Sequence, residues 1–151
     1  MSHARQQIRE LVAATLADLP TTADRVYVGK RRPFSGRHDP ALVIYTTPAT
    51  SGGQETSQRQ NLGGRLARTM MLTIQGHVKS AHLVDDVLDD IAVEVEAAMA
   101  ADPKFGGKIK DSYLHSTVSA VDAAGDEYDG AIRLVYLVNY STLETTPSVL
   151  A

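Results

Sequence analysis

Within residues 81–101 the apolar side chains Val84, Val87, Leu88, Ile91, Val95, Ala98 and Met99 recur at three- and four-residue steps. That is the period of an α-helix with one buried stripe. Such a helix must lay its stripe on another apolar surface, so the rest of the chain has to supply one. Ser80 before the stripe and Asp102-Pro103 after it set the expected limits. On the opposite flank, Asp85 with Asp89 and Asp86 with Asp90 are like-charge pairs four residues apart. Each weakens an isolated helix by about 0.3 kcal/mol, a penalty that a basic partner surface would offset.

The covering surface is a sheet. Residues 25–29 and 41–46 are β-branched and aromatic runs separated by a turn-rich segment, and residues 66–75 alternate between apolar and polar side chains with Arg68 and Met71 out of step. Residues 113–121 and 131–142 are two further β-type runs, joined by 122–130 and expected to form an antiparallel hairpin. Leu134-Val135-Tyr136-Leu137-Val138 is apolar on both faces, which suits a strand inside a sheet with helices nearby. A first helix is predicted between Ser2 and Leu19, where Ile8, Leu11, Val12, Leu16 and Leu19 form a second stripe, with Ser2 as N-cap and Pro20 as stop. The order α-β-β-β-α-β-β describes one α+β domain over residues 1–142, a mixed, largely antiparallel sheet of about five strands carrying two helices. Residues 143–151 read as a weakly patterned tail. The stretch 48–64, with Leu62 as its single large apolar residue, reads as a long loop of the kind that binds something or stays mobile.

Composition narrows the function. The 151 residues contain no Cys, which excludes disulfides, thiol nucleophiles and Cys-ligated metal centres. A net charge of -3 is too balanced for a chain that coats nucleic acid. The apolar runs are too short for a bilayer, and Met1-Ser2-His3-Ala4-Arg5 leads straight into the first helical stripe. Neither a membrane span nor a signal peptide is expected, and the chain is expected to act first in the cytosol. The charge is segregated, however: residues 25–79 carry nine bases and two acids, residues 80–130 three bases and twelve acids. A basic patch on one copy meeting an acidic patch on the next is a heterologous contact, and such contacts repeated about an axis close into rings. Solvated surface, or pairing within one molecule, is the alternative.

No constellation has the spacing of a known catalytic centre. Ser35, His38 and Asp39 are too crowded to act as a triad and lack a Gly-x-Ser-x-Gly elbow. His82, Asp85 and Asp86, with His77 shortly before, could hold a metal if they share one helical face. The paired glycines 52–53, 63–64 and 106–107 have neither dinucleotide-binding nor Walker spacing. Lys30, Arg31 and Arg32 could contact phosphate, with Tyr27 or Phe34 to stack on a base, although aromatic residues make up only 5% of the chain. No enzyme activity and no cofactor are expected.

The layout as a whole resembles the tail terminator, or tail-completion, proteins of long-tailed bacteriophages. The resemblance rests on the first helix ending near Leu19-Pro20, on Arg25-Val26-Tyr27-Val28-Gly29-Lys30-Arg31-Arg32-Pro33, and on Pro40-Ala41-Leu42-Val43-Ile44-Tyr45-Thr46. It continues through Asp85-Asp86-Val87-Leu88-Asp89-Asp90-Ile91-Ala92, Tyr113-Leu114-His115-Ser116-Thr117 and Leu134-Val135-Tyr136-Leu137-Val138-Asn139-Tyr140, covering roughly residues 4–142. It implies an α+β fold and a homo-hexameric ring that binds the last ring of tail tube protein, halts polymerisation and presents a surface to head-completion or neck proteins. DNA would pass only as cargo through the lumen. The protein would reside in the virion, at the tail or neck, after assembly in the host cytoplasm. The subunit interface is then expected at Arg31, Arg32, Arg37, Asp85, Asp86, Asp89 and Asp90. A tube or neck contact is expected at Gly52, Gly53, Gln54, Glu55, Arg59 and Gln60. The alternatives are another head-tail joining protein, a small nucleic-acid-binding module built on Lys30, Arg31 and Arg32, or a metal-dependent enzyme using His82, Asp85 and Asp86.

Overall fold

The computed structural model describes residues 2–29, 40–60, 64–80 and 82–151. The fold is α+β: two helices lie against one face of a mixed, mostly antiparallel sheet. In chain order the elements are α1 (Ala4–Thr15), β1 (Val26–Val28), β2 (Ala41–Thr46), a 3-10 turn (Ala49–Ser51), β3 (Thr56–Gln60), β4 (Arg65–Ser80), α2 (Val84–Ala101), β5 (Asp111–Ala124), β6 (Glu127–Leu143) and β7 (Thr146–Leu150).

The centre of the sheet is the β4–β6 ribbon, paired without interruption from Arg65↔Leu143 to Ser80↔Tyr128. The strand order is β1-β2-β4-β6-β5, with β3 pairing with β4 where β2 does not reach and β7 pairing with β6 beyond β5. Among the described strands only β1 and β2 pair in parallel. Along β4 and β6 the residues facing the helices, among them Met70, Leu72, Ile74, Ile132, Leu134 and Val138, are buried and join Ile8, Val12, Leu88, Ile91 and Val95 in one core.

Two glycines set how closely α2 approaches. A Cβ on Gly76 of β4 would lie 2.8 Å from Ile91 Cγ2, and one on Gly130 of β6 would lie 2.2 Å from Val84 Cγ1. Any side chain at either site would push the helix off the ribbon.

Several boundaries differ from those read in the sequence. The first helix ends at Thr15, before Pro20, and its N-cap is His3, whose Nδ1 accepts the Arg5 N–H at 3.1 Å. The second helix starts at Val84. Ser80 closes β4 instead of opening that helix, and Leu83 caps the helix with a left-handed backbone and no side-chain hydrogen bond. The third predicted strand is part of a 16-residue one, because pairing with β6 carries it through Gly76, His77 and Lys79. The 122–130 connection contracts to the two-residue turn Gly125-Asp126, with Gly125 at φ +67°, the sign that tight hairpin turns need at their first position.

Two segments predicted to lack structure form strands. Within 48–64 residues Ala49–Ser51 form a 3-10 turn and β3 pairs with β4, and residues 61–63 lie outside the described set. Within 143–151, β7 pairs with β6 and packs Leu150 against the core.

Candidate interaction surfaces

The acidic flank forms as the helical period requires. Val84, Leu88, Ile91, Val95 and Met99 point into the core, which leaves Asp85, Asp86, Asp89 and Asp90 exposed on the outer face of α2. Asp85 and Asp86 lie in the first turn, where the helix dipole favours negative charge. Val93, 67% exposed, lies on the same face, and Leu83, the left-handed residue just before the helix, is 71% exposed. The basic residues expected opposite the four aspartates, Arg31, Arg32 and Arg37, lie outside the described residues, as do Lys30, Ser35, His38 and Asp39.

The residues expected to contact a tube or neck are divided by the fold. Gly52 is exposed and caps the 3-10 turn at φ +82°. Gly53 is buried: a Cβ there would sit 2.0 Å from the Thr47 carbonyl oxygen. Gln54, Arg59 and Gln60 are exposed, with Arg59 held by Glu144 through an Nε–Oε1 contact of 2.7 Å. Glu55 faces inward. Its Oε2 accepts from Arg5 Nη1 at 2.6 Å and lies 3.6 Å from Arg68 Nη1, and its Oε1 accepts from the Tyr140 hydroxyl at 2.6 Å. Burial, together with the bond to Glu55, holds the Tyr140 phenol far above its usual range. This cluster ties the segment before β3 to α1 and to the ribbon. Sequence spacing could not find it, because Arg5 and Tyr140 are 50 and 85 residues away from Glu55.

The sheet face without helices is more polar. There the Tyr45 hydroxyl donates to Gln75 Oε1 at 2.9 Å, and Thr47 and Thr73 share a buried hydroxyl contact of 2.6 Å. With Arg133, Ser116 and Val118 these residues line a cleft of about 360 Å³. It brings together no nucleophile, base and orienting group.

His82, Asp85 and Asp86 do not come together as a ligand set. The helix begins two residues after His82, so the expected spacing does not fall on one helical face. Among the described residues no group of three or more His, Asp and Glu side chains is placed to hold a metal. His77 points from β4 to the helix-free side, where burial lowers its pKa and nearby Asp129 partly opposes the shift. No helix among the described residues is long and apolar enough to cross a membrane.

This architecture defines an α+β domain with two helices on one side of a long ribbon. No protein-family profile matches the sequence, and no curated protein matches it significantly. Among solved structures it is similar in fold to a chain from the virion of a native gene transfer agent (GTA) particle, with a TM-score of 0.52. The likeness covers 93% of this chain and 92% of that one, at 14% sequence identity, so it is a likeness of fold.

Proposed function

We propose that this protein is a structural subunit of a phage-like particle and, more narrowly, a tail terminator. Copies join as a ring on the end of the tail tube, stop its growth and offer the opposite face to the head or neck. The observation that carries the reading is the end-to-end likeness of fold to a virion chain. The sequence resemblance points the same way, and so does the separation of a basic from an acidic half of the chain.

In this reading the protein acts by shape and charge rather than by catalysis. One ring face is complementary to tube subunits and the other is not, so a further tube ring finds no favourable surface. The acidic face of α2 is the half of the subunit contact that the described residues include.

The deciding measurement is the mass of the complex formed with purified tail tube, together with its position by electron microscopy. A ring of copies at the head-proximal end of the tube, and tails of uncontrolled length when the protein is withheld, are the expected results. A ring bound to the head side and never to the tube would make it a head-tail joining protein instead. Tight, steeply salt-dependent binding to short DNA, without any binding to tube, would make it a nucleic-acid module.

A further inference from the structure

The sheet ends in two strands whose outer edges pair with no described strand, β1 on one side and β5 on the other. The registers connect them. Val28, Ile44, Ile74, Leu134 and Thr117 form one row across all five strands. Tyr27, Val43, Gln75, Arg133 and Val118 form the next, and Val26, Leu42, Gly76, Ile132 and Ser119 the third. Since β1 is parallel to β2 and every later step in the path is antiparallel, β1 and β5 run in opposite directions. The two outer edges, neither paired with a described strand, therefore lie at the same height with opposite polarity; on the β1 side the Val26 N–H already donates to the Asp24 carbonyl, which leaves the Val26 carbonyl and the Val28 amide groups to pair. Those are the conditions for antiparallel pairing between neighbouring copies related by pure rotation, with no step along the axis.

The β5 edge is built as a template rather than as a protected margin. From Ser116 to Ala123 the side chains on both faces are exposed, including Val118 at 55% and Val121. The strand contains no Pro, Lys or Arg, the residues that blunt exposed edges. Its one irregularity, the register shift between Leu114 and Ser116, precedes that stretch.

Charge fits the same partner. Immediately before β1, the Arg25 guanidinium donates to the carbonyl oxygens of Pro40 and Thr21. At the matching end of β5, Asp122 is exposed, with Asp126 in the turn that follows. Placing β5 against β1 of another copy brings a base held by neutral carbonyls toward exposed carboxylates.

We propose that the free edge of β5 adds to β1 of a second copy, so that the sheet continues from subunit to subunit around the ring. This rests on the ring reading above and names the backbone contact that closes it.

The absence of Cys gives a clean background for the test. Val28→Cys and Thr117→Cys, the two ends of one row, are prepared as separate variants, mixed, and treated with a short bis-maleimide, alone and on purified tail tube. Cross-links that form in the mixture and in neither variant alone are the expected result, and a chain carrying both cysteines should give a ladder of covalent oligomers. Cross-linking of Thr117→Cys with itself would show β5 meeting β5 in a two-fold dimer and would overturn the proposal. An assembled ring, established by mass, that yields no cross-link would overturn strand addition and leave the ring standing. A wild-type chain that stays monomeric both in solution and on the tube would remove both.

Discussion

The Tyr140 hydroxyl donates to Glu55 Oε1 across 2.6 Å, and this bond joins the C-terminal half of the ribbon to the segment that precedes β3. Glu55 is also the acceptor for Arg5 at the start of α1, so one carboxylate links three parts of the chain. Replacing Tyr140 by Phe keeps the packing and removes the donor. Stability should fall by about 1.5 kcal/mol, read as a lower urea midpoint at unchanged slope. Glu55→Gln, which keeps the shape but weakens the ion pair with Arg5, should show the larger loss. A Tyr140→Phe variant as stable as the wild type would mean that water replaces the phenol there.

The contact between Gly130 and Val84 gives a second test. With 2.2 Å between a built Cβ and Val84 Cγ1, Gly130→Ala forces α2 outward. The expected destabilisation is about 1–3 kcal/mol. The double variant Gly130→Ala, Val84→Ala should recover part of it by vacating the space, and a double-mutant cycle measures the coupling.

Acid should loosen the start of α1. Burial, with Arg5 and Arg68 nearby, lowers the pKa of His3 below its ordinary value of about 6.5. The His3 Nδ1 must also be unprotonated to accept the Arg5 N–H. His77 is lowered too, first by burial. The unfolded chain therefore takes up protons before the folded one, so stability is fully present above about pH 6.5 and declines as the pH falls through the folded-state values. His3→Asn retains a capping acceptor without a titrating group and should flatten part of that decline in a series of melting curves across the range.

Reversing charge on the outer face of α2 tests the assembly without touching the core. Asp86→Lys with Asp90→Lys should weaken self-association, and reversal of Arg31 and Arg32 to Glu should restore part of it, both read by sedimentation. The fold itself should lose only about 0.5 kcal/mol, because Asp86 sits in the first helical turn and both side chains are exposed. An unchanged sedimentation profile after the first reversal would place these acids outside the contact.

How far the sequence carried depended on where each residue drew its structure from. Residues 41–46 read correctly to the residue, because Pro40 and Pro48 punctuate a β-branched run that is buried at its first four positions. The stripe of α2 read equally well, and with it the outward placement of the four aspartates. Thr56-Ser57-Gln58-Arg59-Gln60 offered no such signal: every one of its side chains is exposed, and it is a strand because β4 extends beyond β2 and supplies a partner. The far end of β4 was hidden for a related reason. Gly76 looks like a break in a strand, yet it is there to admit Ile91. Glu55 looked like a solvent-facing loop residue because its partners come from the two ends of the chain.

The continuous pairing of β4 with β6 also bears on how the molecule comes into being. Synthesis delivers β4 well before its central partner, with the whole of α2 and β5 still to emerge, so the nascent chain carries a long strand, apolar on one face, with one flank bare. The hairpin of β5 and β6, closed by a two-residue turn, is the quickest unit to form, and docking it onto the waiting strand is the slow, non-local step. During that interval the chain is most open to premature association with its own kind, and chaperones have most to do.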